Sequence, residues 1–137
     1  MQIMTRKKLN RLYYINRDIE RLQNRIDEMT AIAEGTTQRI TGLPGGCSGS
    51  DKVGNGATRI AVLRIQLEAA KADAQMEYEE ITTFIENEED PLMRQILQYR
   101  HINGLKWRQV NMHIGGCNTE ASIRQMHKRF LDRNNIK

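Results

Sequence analysis

The residues with the most chemistry in this chain are three histidines (His101, His113, His127), two cysteines (Cys47, Cys117), a glycine-rich stretch, and cations and amides near the C-terminus. His113 and Cys117 stand at H-x3-C spacing, but no second pair accompanies them, and a structural zinc site needs clustered ligands. No metal is expected. Both cysteines follow Gly-Gly and read as loop thiols, too few for a secreted disulfide framework. No Asp, Glu or Cys cluster stands at catalytic spacing to the histidines, and no nucleophile elbow is present, so neither enzymatic activity nor a cofactor is expected. Histidines on helices of a basic region read instead as solvated side chains or phosphate contacts. Residues 35–56 hold seven of the ten glycines, around the core TGLPGGCSGSDKVGNG. The pattern G-x4-G-K-[ST] is absent and Lys52 follows Asp51, so this is a connection rather than a P-loop, with length enough to order against a partner.

The sharper pattern is TEASIRQMHKRFLDR, residues 119–133. Ile123, Met126 and Phe130 recur at helical spacing and predict a buried stripe, with Thr119 as N-cap and Glu120 at the positive helix end. The opposite side then carries Ala121, Arg124, Gln125, Lys128 and Asp132, flanked by Ser122 and Arg129. Guanidinium groups pair with guanine edges and amides with adenine, while further cations meet phosphates; a major-groove reader needs this set. On that reading Ala121, Ser122, Arg124 and Gln125 meet bases. Lys106, Arg108, Thr119, Lys128 and Arg129 meet phosphates, which fixes register without reading sequence.

The elements that must hold such a helix are also helical. In 137 residues, 5% aromatic and with two prolines, there are few alternating β-branched runs, so the expected class is all-α. Leu12, Ile15, Ile19, Leu22, Ile26 and Met29 form an a/d seam and predict a helix over about 5–33. A second seam, Ile60, Leu63, Leu67, Ala70, Ala74, Ile81 and Phe84, predicts another over about 58–88, weakened where Glu77 takes a seam position. Similar lengths favour a long antiparallel, coiled-coil-like hairpin over residues 1–89, and leave a homodimer through the coiled coil open. Asp90-Pro91 is a helix start, Asn103-Gly104 a stop, and LKWRQVNMHI a short helix with Leu105, Trp107, Val110 and Ile114 turned inward, ended by Gly115-Gly116. Residues 90–134 then form a helix–turn–helix DNA-binding domain.

Charge follows the same division. Residues 68–90 carry nine acids against one base, whereas residues 94–137 carry nine bases against two acids. A basic C-terminal third behind an acidic segment suits a polyanion-binding module on a solvated stalk. The longest apolar run, Ile60 to Leu63, is too short for a bilayer, and residues 1–30 hold seven Lys/Arg and no apolar signal core, so a cytoplasmic location is expected.

PLMRQILQYRHINGLKWRQVNMHIG, followed by Thr119-Glu120-Ala121-Ser122-Ile123-Arg124, resembles the helix–turn–helix of sigma-factor region four. That likeness covers about a third of the chain. With its YYINRDIERL opening, SGSDKVGN loop and ILQYRHINGL, the whole chain also resembles small phage and prophage late-gene regulators of the RinA/ArpU-like group. The resemblance implies promoter recognition on double-stranded DNA in a bacterial host cell, with RNA polymerase as a further partner. Against the family pattern, the Gly115-Gly116-Cys117-Asn118 turn is longer, Asn111 replaces a small alanine and Lys106 a capping Ser or Thr. Two other readings compete. One is a coiled-coil factor that binds RNA polymerase or another protein through residues 68–90 or the glycine-rich stretch; the other is a DNA-packaging subunit, which would form a ring or large oligomer.

Overall fold

The computed structural model describes residues 3–37 and 50–137, and every regular element among them is helical. Five α-helices follow in order: α1 (Arg6–Thr37), α2 (Ser50–Glu86), α3 (Pro91–Leu97), α4 (Trp107–Ile114) and α5 (Glu120–Arg133). A π-helical stretch, Gln98–Ile102, continues α3. Both long helices exceed their expected limits. α1 runs through Gly35 to Thr37, and α2 begins at Ser50 rather than near 58, passing Gly54 and Gly56. Glycine in a helix costs only about 1 kcal/mol, which the rest of a 37-residue helix can carry. The rest of the expected connection, 38–49 with Cys47, lies outside the described residues.

The local signals act where the residue chemistry places them. Thr5 caps α1 by accepting from the Lys8 N–H at 3.1 Å. Asp90 accepts from Leu92 N–H at 3.0 Å, with Pro91 in the first turn of α3. Gly104, Gly115 and Gly116 all take positive φ. At Gly104 this is enforced twice over: φ is +65°, and a Cβ there would lie 3.1 Å from the Tyr13 ring.

Contacts divide the chain into two compact units, one of Arg17–Ala72 and one that combines residues up to Asn16 with Asp73–Lys137. In the first, Ile26 and Leu67 are buried and Ile19, Leu22, Met29, Ile60, Leu63 and Ala70 half-buried. In the second, the first turns of α1 and the last turns of α2 join the C-terminal helices in one core. Leu9, Ile81, Ile96, Leu97, Val110 and Ile123 are almost wholly sealed from solvent. Each such side chain contributes about 1.5–3 kcal/mol by leaving water. Phe84 meets Phe130 edge-on at 6.2 Å. Arg6 fastens the start of α1 to the residues after α5: its N–H donates to the Lys137 carbonyl at 2.9 Å, and its guanidinium to the Ile136 carbonyl and to Asp132.

Glu77 sits at the seam position where an apolar residue would complete the pattern. It is buried and ion-paired to Arg11 at 3.1 Å, with its second carboxylate oxygen unpartnered. Lys8 pairs with Glu80 one turn further along α2.

Candidate nucleic-acid interface

α5 is positioned by the side it buries. Ile123, His127, Phe130 and Leu131 are buried and Met126 half-buried, which widens the expected stripe of three into the broader apolar face of a globular helix. The other side is in solvent: Ala121, Arg124, Gln125, Lys128, Arg129 and Asp132 are all exposed. Five of the predicted contact residues, Ala121, Arg124, Gln125, Lys128 and Arg129, therefore share one open helical face. Lys106 and Arg108, at the start of α4, are exposed as well. None of Lys106, Arg108, Lys128 and Arg129 has an ion-pair partner among the described residues.

Three of the predicted residues have prior engagements. Arg124 is paired one turn back with Glu120 at 2.8 Å. The two side chains are largely exposed, so the pair holds the guanidinium for at most about 1 kcal/mol and yields to a stronger acceptor. Ser122 and Thr119 form a reciprocal cap. Thr119 Oγ1 accepts from the Ser122 N–H at 3.1 Å, while Ser122 Oγ accepts from the Thr119 N–H at 3.0 Å and donates to the Thr119 carbonyl at 2.9 Å. The Ser122 hydroxyl hydrogen is thus spent on the helix start, whereas Thr119 keeps its own for an outside acceptor.

α4 begins without a side-chain cap from Lys106; instead Gln109 Oε1 accepts from the Lys106 N–H at 2.9 Å. The α4–α5 turn is braced by Asn118 Nδ2 donating to the Gly115 carbonyl at 3.3 Å. Asn111 leaves its Oδ1 buried without a partner. Cys117 is a free, exposed thiol in this turn, and no group of three or more potential metal ligands occurs among the described residues.

Two histidines correct the expectation of solvated or phosphate-facing rings. His101 and His127 are buried, and their Nε2 atoms approach to 2.9 Å. That contact requires one ring to donate and the other to accept, so the two rings cannot both be protonated while it lasts. Burial pushes His101 down to about 3, helped by His127 and Arg100 and opposed by the backbone of Leu9. Burial, then Arg100 and Arg6, holds His127 down at about 4. Trp107 packs edge-on against His127 at 4.8 Å, and the Arg100 guanidinium lies 4.7 Å over the Trp107 ring. His113 is the surface histidine, stacked on Tyr99 at 5.1 Å. The signal for the buried pair was in the spacing: His127 stands four residues after Ile123, and His101 four after Leu97, each in line with the apolar face.

No family model, curated protein or solved structure matches this chain.

Proposed function

We propose that the chain is a sequence-specific, double-stranded-DNA-binding transcription regulator, a sigma-like late-gene activator of phage or prophage type. α4, the Gly115-Gly116-Cys117-Asn118 turn and α5 act as its helix–turn–helix, and α1 and α2 as an antiparallel hairpin. One observation carries this reading: the buried face of α5 leaves Ala121, Arg124, Gln125, Lys128 and Arg129 together in solvent. Arg124 and Gln125 supply bidentate donors and acceptors for base edges, and Ala121 permits close approach to a thymine methyl. Lys106, Arg108, Thr119, Lys128 and Arg129 supply phosphate contacts, so affinity falls steeply with salt.

The test is an unbiased selection of bound duplexes at two salt concentrations, followed by titrations of two variants. Arg124→Ala is expected to cost about 1–3 kcal/mol on the selected duplex and to relax sequence preference. Lys128→Ala weakens all duplexes alike and lowers the salt dependence. Undiminished binding by the Arg124/Lys128 double variant would sink the assignment.

A second reading, a protein-interaction factor that engages RNA polymerase or another copy of the chain, is favoured by a different surface. Val62, Ile65, Ala69, Ala72 and Met76 recur at 3- and 4-residue spacing along α2, and all are exposed. An apolar stripe outside the a/d seam is what a further helix would use. Pull-down of polymerase by the full chain, lost on Ile65→Glu, separates this activity from duplex binding.

A further inference from the structure

A cleft of about 300 Å³ lies between the first turns of α1 and the segment that joins the π-helical stretch to α4. Its walls are Leu9, Asn10, Tyr13 and Tyr14 on one side, and Arg100, His101, Gly104 and Lys106 on the other. Three properties set it apart. It carries two cations and no acid. It has two tyrosines, Tyr14 65% and Tyr13 40% exposed, with ring centroids 5.4 Å apart and ring planes at 81°. And its guanidinium is fixed in place.

Arg100 is the central group. It is half-buried, donates through Nη1 to the Leu105 carbonyl at 2.9 Å, and lies over Trp107. No carboxylate pairs with it among the described residues. Burial makes it costly to keep Arg100 charged, Tyr13 opposes that effect, and the nearby charge of Arg124 adds to it. A partly desolvated cation without a counter-ion is poised for an anion, and the planar fork of a guanidinium matches phosphate oxygens. Lys106 adds a second, mobile charge at the same rim. Another cleft makes the contrast: there Arg6 is already neutralised by Asp132.

The aromatic wall narrows the ligand further. Exposed tyrosine faces beside phosphate-binding cations form a stacking platform for a base. Asn10 offers an amide that both donates and accepts. The close packing of Gly104 on Tyr13 ties the two walls together. We infer that this cleft binds a nucleotide, its phosphate on Arg100 and Lys106 and its base on Tyr14 and Tyr13. The nucleotide is supplied either free or as one unit of a single strand. Lys106 is shared with the phosphate contacts proposed for the duplex, but the tyrosines and Arg100 are not, so the cleft does not rest on duplex recognition by α5.

The experiment titrates the full chain with ATP, adenosine, inorganic phosphate and an eight-nucleotide thymidine strand. Binding is followed by calorimetry and by the fluorescence of Trp107, the only tryptophan. ATP or the strand is expected to bind at least tenfold more tightly than adenosine or phosphate. ATP alone binding identifies a free nucleotide as the source; the strand alone binding identifies single-stranded nucleic acid. Tyr14→Ala, an exposed substitution, weakens binding by about tenfold or more, as loss of one stacking platform predicts. Arg100→Gln, checked for folding by circular dichroism, weakens ATP and leaves adenosine unchanged. Lys128→Ala, which tests duplex binding, leaves nucleotide affinity as it was, so the two sites fail independently. Absence of binding by both ATP and the strand overturns the inference. So does equal binding of phosphate and ATP, or full affinity in Tyr14→Ala.

Discussion

Acidification destabilises this protein through one pair of rings, and the size of the effect follows from their burial. In an unfolded chain an imidazole takes up its proton near pH 6.5. In the folded protein His101 and His127 are held down at about 3 and about 4. Between those limits the unfolded chain binds more protons than the folded one, so stability rises with pH and is lost as pH falls below 6.5. Each histidine then removes about 1.4 kcal/mol per pH unit. From pH 6 to 4.5 that amounts to roughly 2 kcal/mol each and about 4 for the pair, a large share of the 5–15 kcal/mol typical of a whole domain. Urea denaturation of the wild type and of a His101→Gln/His127→Gln variant, across pH 4.5–7.5, reads the effect. Both proteins carry the same carboxylates, so the difference between their stability–pH slopes isolates the two rings. Equal slopes refute the reasoning. So does a histidine NMR titration in which His101 and His127 protonate near 6.5 in the folded protein.

Other perturbations have equally defined outcomes. Arg11→Met strands the buried Glu77 carboxylate and is expected to cost about 1–3 kcal/mol in urea denaturation, whereas Glu77→Met, which completes the apolar seam, leaves stability equal or higher. The opposite order would show that the seam wants the charge. Gly104→Ala meets both a φ of +65° and the Tyr13 ring 3.1 Å away, so its thermal midpoint should fall by several degrees, equivalent to about 1–2 kcal/mol. Glu120→Gln frees Arg124 and removes a negative charge from the α5 face. Duplex affinity, read by fluorescence anisotropy, should rise by up to about fivefold, the equivalent of an exposed ion pair. Unchanged or weaker affinity argues that Arg124 does not face DNA.

The helical class and most element ends were legible because local chemistry decides them. Asp90-Pro91, Thr119 and Gly104 act as caps and stops whatever surrounds them. The covered sides of α1 and α2 follow the 3- and 4-residue spacing of their Leu and Ile positions. Two things were not legible. Spacing could place His101 and His127 on apolar faces, but not show that the faces meet, since a 2.9 Å contact joins residues 26 apart. The cleft beside Tyr13 and Tyr14 was hidden for the same reason, because its walls come from opposite ends of the sequence. Glycine was over-read in the other direction. Gly35, Gly54 and Gly56 suggested a break, yet a long helix tolerates them because the residue is permissive rather than prohibitive.

The clasp of Arg6 on Asp132 and Ile136 spans 126 and 130 residues. Helical proteins usually reach their transition state through near neighbours along the chain, and fold quickly for that reason. Here the core that supports α5 must instead bring together segments far apart in the chain, and the entropy of that closure is met before the reward of burial. Refolding should therefore be slow for an all-helical protein. A chain cut between Arg17 and Ala72 would yield two pieces able to regenerate that core only by finding each other, with a rate that depends on their concentration.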